Sequence, residues 1–175
     1  MKPSFFVLFA TIVFLCYPEY AWSQKPPVFS RDSVKESFDG KWIIVRYGKS
    51  SLNGRKIFGS VVPYYKVWRT GAGAATELET EIDLEMNGAI IPRGKYSLYS
   101  LPTENLWKLI INKQTGQWGT VYNKSQDLVR LPLKIQTLPH TIEKFTLRID
   151  RTEKTRGRLI LQWERTEASI PIEVP

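Results

Sequence analysis

The stretch IEKFTLRID, residues 142–150, decides the fold class of this chain. Every second residue from Phe145 to Ile149 is apolar, and the residues between them are polar or charged. Because successive side chains of a β-strand point to opposite faces, this period of two predicts a strand with one buried and one solvated face. The polar segment 152–157 that follows fits a hairpin loop, and RLILQWER, residues 158–165, repeats the alternation. The sequence therefore predicts an antiparallel pair of strands here.

The same kind of segment recurs along the chain. Short β-rich runs are separated by Gly, Pro, Asn or Asp at the spacing typical of an all-β sandwich or barrel, and no helical periodicity extends past two turns. Asn87-Gly88 suits a two-residue type I′ hairpin, because both positions need positive φ. We predict an all-β fold, an antiparallel β-sandwich in a single domain over residues 33–175. The predicted strands cover 42–47, 57–62, 66–70, 76–86, 96–101, 106–112, 118–122, 128–136, 142–150, 158–165 and 168–172.

The N-terminal segment has the pattern of a secretory signal peptide. Lys2 precedes an apolar run from Phe5 to Tyr17, and small residues occupy the usual cleavage positions before residue 24. The run is too short for a transmembrane helix, which takes roughly 20 residues. We predict a signal peptide over 1–23, an extended leader over 24–32, and a protein of the bacterial periplasm or cell surface without a transmembrane segment. Lipidation at Cys16 is the alternative.

Composition excludes several kinds of site. Cys16 is the only cysteine and His140 the only histidine, so the exported chain has no disulfide, thiol nucleophile, thiolate metal site or multi-histidine zinc site. His140 follows Pro139 in a segment that we predict to be an exposed loop, and no G-x-S-x-G elbow supplies a nucleophile for it. We predict no cofactor and no metal, and we assign no catalytic residue.

The chain is basic, with 25 Lys and Arg against 17 Asp and Glu and a formal net charge of +8. The basic residues are scattered, and export separates the protein from nucleic acid, so we predict no nucleic-acid partner. Anionic polysaccharide, lipopolysaccharide, a membrane surface or a small anion fit the charge better. Solubility alone is the other explanation.

The motif-bearing stretches resemble a known family. They are GRKIFG at 54–59, VPYYKVWRTG at 62–71, IPRGKYSL at 91–98 and QWGTVY at 117–122, followed by Asp127 and Arg130. Together they resemble the exported proteins grouped as the domain of unknown function 2911, found mainly in Bacteroidetes, over about residues 30–172. Members usually have a small residue in place of Arg93, and many carry Ala, Asn and an acidic residue where this chain has 72–75. The resemblance implies export and the fold of the family, and it indicates little about chemistry.

The segment 54–71 is the most unusual part of the chain. It combines basic and aromatic side chains around Gly and Pro bends, which suits a recognition surface; a core segment with a basic rim is the alternative. Trp68 and Arg69 are neighbours and should point to opposite faces of a strand, with Trp68 in the core. Arg69 then needs an acceptor, for which the acidic row 77–85 is a candidate.

Two further patterns have both a functional and a structural explanation. Alternate acidic residues in 77–85 would share one strand face, either as a cation site or, as we favour, as a solvated face opposite cross-strand lysines. The run 118–122 places aromatic side chains beside Gly119, as in sugar stacking or in a sandwich core. Trp42, Trp107 and Trp163 are predicted to be core. The candidate ligand-binding residues are Arg55, Lys56, Tyr64, Arg69, Trp118 and Tyr122.

These observations favour a non-enzymatic binding or envelope accessory protein whose partner is a glycan or an anionic small molecule. The dense aromatic and cationic content without a catalytic constellation motivates this prediction. The alternative is a hydrolase that acts on envelope glycans through a carboxylate pair, because acidic residues are plentiful although nothing singles out two of them.

Overall fold

A computed structural model describes residues 30–175 and shows an all-β protein. The predicted signal peptide lies outside the described residues, as does most of the predicted leader, whose last residues Arg31 and Asp32 begin the first strand. Among residues 30–175 there is no helix long and apolar enough to cross a membrane. The strands are β1 Arg31–Phe38, β2 Lys41–Gly48, β3 Thr76–Thr80, β4 Leu84–Met86, β5 Ala89–Ile91, β6 Gly94–Leu101, β7 Trp107–Asn112, β8 Asp127–Arg151 and β9 Arg156–Glu173.

All pairings between these strands are antiparallel, in the order β1-β2-β3-β6-β7-β8-β9-β4-β5. The long strand β8 connects two layers, since it pairs with β7 up to Leu133 and with β9 from Lys134 onward. The layers face each other, with the ring of Phe145 on β8 5.6 Å from that of Tyr47 on β2. The all-β antiparallel prediction is confirmed, and the two layers are halves of one continuous sheet that bends over its own core.

The core follows the alternation read from the sequence. From Phe145 to Ile149 and from Leu159 to Trp163, every second side chain is buried. Trp107 is also buried, as predicted. The prediction that Trp42 is core is wrong: this side chain is 39% exposed, and the Lys35 ammonium lies 3.8 Å from its ring centroid. The reason is register, because the odd-numbered residues of β2 face inward.

Several predicted strand boundaries are wrong. The runs 57–62, 66–70 and 118–122 form turns and isolated bridges, the run 76–86 breaks at residues 81–83, and Pro139-His140 lies within β8, where His140 is exposed. Strand β1 was not predicted, because its sequence RDSVKESF has the charged composition of a protected sheet edge. The predicted Asn87-Gly88 hairpin is confirmed, with φ of 49° and 79° between β4 and β5.

Candidate functional site

The segment that carries Arg69 lies against the end of β6. The backbone of Trp68 exchanges two hydrogen bonds with Ser100, both at 2.8 Å, so residues 67–69 continue the line of β3 along this strand. The indole of Trp68 is partly buried and packs against the core rings of Phe58 and Trp163. Arg69 lies on the other side, with its Cβ and Cδ against Gly119, as strand geometry predicts for neighbouring residues, although Trp68 and Arg69 both line one cavity.

The outer face of β6 and β7 has a small apolar cluster of its own. Its buried members are Ala75, Tyr99 and Ile110, and the ring of Tyr122 packs on that of Tyr99 at 4.9 Å. The connection between β7 and β8, residues 113–126, lies over this cluster, held in part by Tyr99 Oη, which donates to Val121 O at 2.9 Å. This connection and the segment 61–69 form the two walls of a cavity.

The cavity has a volume of about 290 Å³, near the lower limit for small-molecule sites. Two of its lining residues are cationic and none is acidic, so its local charge is positive. The lining comprises Val61, Val62, Pro63, Lys66, Val67, Trp68, Arg69, Gly119, Thr120 and Tyr122.

Arg69 is the most unusual group in this cavity. Its Nε is buried, and residues 30–175 give it no hydrogen-bond partner. Burial lowers the pKa of Arg69, and no carboxylate in the described chain opposes that shift. The acidic acceptor expected from the sequence is thus not supplied by residues 77–85. Because arginine stays protonated in proteins, the cavity contains a partly desolvated, unpaired cation.

Gly119 fixes the position of this arginine. A Cβ atom at residue 119 would lie 2.1 Å from Arg69 Cδ and 2.7 Å from the carbonyl oxygen of Gly73, which accepts the Gly119 N–H. Only glycine allows the alkyl part of Arg69 to lie directly on this backbone. The stem is therefore held, and the guanidinium is presented to the cavity.

Tyr122 is fixed by a charged network on the other side. Its hydroxyl donates to Asp127 Oδ2 at 2.6 Å and accepts from Arg130 Nη2 at 2.7 Å. Arg130 Nε also donates to Asp127 Oδ2, and Asn112 Nδ2 donates to Asp127 Oδ1 at 2.8 Å. The carboxylate of Asp127 is thereby neutralised within its own network and leaves Arg69 unpaired.

This network predicts a pH dependence. Desolvation and the hydrogen bond to Asp127 raise the pKa of Tyr122 to about 12. In the unfolded chain a tyrosine has a pKa of about 10, so it loses its phenol proton at a pH where the folded protein still keeps the proton of Tyr122. This group therefore lowers the free energy of unfolding as pH rises from about 10 to 12. Other tyrosines also titrate in this range, so the free energy of unfolding should fall with pH in both proteins. We expect it to fall less steeply for Tyr122→Phe than for wild type, as measured by urea denaturation between pH 9 and 11. Equal slopes would contradict the assigned hydrogen bond.

The structure brings part of the predicted site together. Arg69 and Tyr122 both line the cavity, and Trp118, which is 50% exposed, immediately precedes Gly119. Lys56 is exposed elsewhere on the segment 54–71, and Tyr64 packs against the core and against Gly59. These two residues do not line the Arg69 cavity.

Arg55 lies at a separate basic cavity of about 440 Å³ together with Lys49 and Lys144. Its guanidinium donates to the carbonyl oxygens of Leu52 and Ser51. Lys49 forms an ion pair with Asp32. Arg55 and Lys49 therefore have partners within the described chain, and no buried side-chain nitrogen of this second cavity is left without one, as Arg69 Nε is.

Sequence reasoning missed Lys66 and Gly119 as site residues, and it assigned no role to Asp127 or Arg130. The spacing of Asp127 and Arg130 was visible within the family resemblance, so this pair could have been found. Lys66 could not, because it reaches the cavity through a tight turn in which Tyr65 has a φ of 62°.

Carboxylates of the acidic row have partners within the chain. Glu79 pairs with Arg46 at 2.7 Å and with Lys95 at 3.3 Å, on the two neighbouring strands. Beyond β3, the carboxylates of Glu81 and Asp83 accept backbone N–H groups. Among residues 30–175 no group of three or more potential metal ligands comes together. Within β3, the favoured interpretation of a solvated face with cross-strand cations is confirmed.

Comparison with known protein families finds one family that matches this chain. A family model described as a protein of unknown function, DUF2911, matches residues 30–172, nearly all of the described structure. The chain belongs to the DUF2911 family. No curated protein and no solved structure matches it. All lining residues of the Arg69 cavity in this DUF2911 protein come from 61–69 and 119–122, within or directly beside the stretches that carry the family resemblance.

Proposed function

We propose that this DUF2911 protein is a non-enzymatic binding or envelope accessory protein that takes a small anionic molecule into the Arg69 cavity. The observation that carries the proposal is the buried, unpartnered Nε of Arg69 in a cavity without a carboxylate. An unpaired, partly desolvated cation is unfavourable in the free protein. A bound anion supplies the missing partner, because the guanidinium donates two parallel hydrogen bonds to carboxylate or phosphate.

The lining favours an anion over a neutral glycan. A sugar needs several hydrogen-bond partners for its hydroxyl groups when it leaves water. The hydroxyl of Tyr122 is already used by Asp127 and Arg130, which leaves Thr120 as the one other hydroxyl in the lining. Most of the binding free energy must therefore come from the cations. A glycan that binds here would have to carry an acidic group.

The alternative function, a hydrolase with a carboxylate pair, gains no support from this cavity. Glycoside hydrolysis needs two carboxyl groups that flank the scissile bond. Neither Asp nor Glu is among the lining residues, and the nearby Asp127 is bound to Arg130 and Tyr122. The cavity therefore supports binding and provides no acid–base pair.

The place of action is also part of the proposal. The charged, apolar and small-residue pattern of residues 1–23 supports export to the periplasm or cell surface. Mass spectrometry of the protein from its native host should find Gln24 at the N-terminus. An acylated cysteine at the N-terminus, or an intact Met1, would contradict this expectation.

Binding is tested with Arg69→Gln. This change removes the charge and the planar fork, and charge-assisted hydrogen bonds contribute about 1.5–3 kcal/mol. We expect dissociation constants for acetate, benzoate, sulfate or phosphate to rise about tenfold to hundredfold, measured by NMR titration with 15N-labelled protein. The matched control is Arg93→Gln, because Arg93 is exposed and does not line the cavity. The proposal is wrong if none of these anions shifts the Arg69 Nε–H signal, or if both variants weaken binding equally.

A further inference from the structure

Exposed apolar side chains are concentrated around the Arg69 cavity. Seven large hydrophobic residues of the described chain are exposed, and four of them belong to the segments that form the cavity walls. Val61 lines the cavity itself and is 45% exposed. Val121, which is 52% exposed, lies between the lining residues Thr120 and Tyr122. With Tyr65 and Trp118 they form what we call the apolar rim: Val61, Tyr65, Trp118 and Val121.

The lining of the cavity contains both apolar and cationic side chains. One part of the lining is aliphatic and comes from Val62, Pro63 and Val67, and the cationic part comes from Lys66 and Arg69. Apolar side chains offer no hydrogen bonds to a polar ligand body, and they favour the removal of apolar surface from water. The lining therefore combines cationic and aliphatic side chains, and Val61 belongs to both the lining and the apolar rim.

We infer that the ligand is an amphipathic organic acid, with an acidic group bound by Arg69 and an apolar ring or short chain that packs on the aliphatic wall and the apolar rim. This inference rests on the proposed function and narrows it to a ligand class. Charge complementarity selects the acidic end, because two cations line the cavity and no carboxylate does. The volume of about 290 Å³ limits the enclosed part to a ring or a short chain.

The planar guanidinium fits both carboxylate and phosphate geometry, so Arg69 alone does not select between these two acidic groups. Comparing the affinities for phenylphosphonate and benzoate shows which of the two acidic groups the site prefers. Glucuronate, which carries a carboxylate on a ring covered with hydroxyl groups, distinguishes an acidic sugar from an apolar acid.

The test is an NMR titration of the purified protein with acetate, benzoate, hexanoate, glucuronate and phenylphosphonate, followed at the Arg69 Nε–H signal. Each buried methylene strengthens binding about fourfold, so benzoate and hexanoate should bind at least about tenfold more tightly than acetate or glucuronate. Equal affinity for glucuronate and benzoate would overturn the inference.

The variant Val61→Ser/Val121→Ser tests the apolar rim. It should weaken benzoate binding about tenfold and weaken acetate binding far less, because the cations are untouched and acetate has only one methyl group to pack on this surface. Ile90→Ser is the control, since Ile90 is similarly exposed, at 51%, and lies on β5, which contributes no residue to the cavity lining. If acetate and benzoate bind equally, or if the rim variant binds benzoate like wild type, the ligand class is wrong and the anion site stands. If no anion perturbs Arg69, the proposed function fails as well.

Discussion

Trp68→Ala should lower the free energy of unfolding by about 3–5 kcal/mol, a large share of the 5–15 kcal/mol typical of a domain. Trp68 joins the segment 61–71 to the core between the layers. Its ring lies 5.0 Å from Phe145 and 5.9 Å from Trp163, and its indole N–H donates to the carbonyl oxygen of Gly71 at 3.1 Å. Alanine would leave a cavity among these aromatic rings and an unpaired backbone carbonyl.

Trp42→Ala is the matched control for this prediction. Trp42 is 39% exposed and contacts the Lys35 ammonium on the outer side of the sheet. Exposed cation–π contacts contribute about 0.5–1 kcal/mol, so this change should lower stability by about 1 kcal/mol or less. Urea denaturation followed by circular dichroism measures both variants. A Trp68 variant as stable as the Trp42 variant would show that the indole is not part of the core.

Gly119→Ala should disrupt the cavity itself. The new methyl group would overlap the Arg69 side chain and the carbonyl oxygen of Gly73, so the stem of Arg69 must leave its place on the backbone. Overpacking of this kind costs about 1–3 kcal/mol. Because the guanidinium moves with its stem, benzoate binding should weaken at least about tenfold even in the folded protein, as measured by NMR titration at a temperature where the variant is folded.

A double variant separates the causes of this effect. Arg69→Ala removes Cδ, so Gly119→Ala should cost less stability in the Arg69→Ala background than in wild type. The overlaps with the Gly73 carbonyl oxygen and with Cβ of residue 69 remain and leave part of the loss in place. Additive losses in the double variant would show that Gly119 does not act through Arg69. The same cycle, read by thermal denaturation, needs no ligand.

How far the sequence predicts this fold depends on how local the signal is. Local patterns were sufficient to predict two strands, from the alternation in 142–150 and 158–165, and one hairpin, from Asn87-Gly88. Neighbouring residues alone determine which face a strand side chain occupies and whether a type I′ turn forms. The merging of 128–136 with 142–150 into β8 was not predictable in this way. Pro139 and His140 resemble a loop, and only pairing with β9 and its bulges keeps this stretch extended.

Of the cavity residues, Arg69 was the one that the sequence marked most clearly. Arg69 was marked by its apolar neighbours and by its need for a partner, and the opposite facing of Trp68 and Arg69 followed from strand geometry. The remaining site residues depend on tertiary folding. The connection 113–126 brings Gly119 and Tyr122 onto the outer face of β6 and β7, and no local pattern specifies that path.

The most direct test of the anion site is the crystal structure of the protein with 4-bromobenzoate, whose bromine is located by anomalous scattering. We predict carboxylate oxygens within hydrogen-bond distance, about 2.7–3.2 Å, of Arg69 Nε and a bromine peak against the apolar rim. A bromobenzoate bound away from Arg69, or an Arg69 that forms an ion pair with a carboxylate of its own chain in the crystal, would contradict the account.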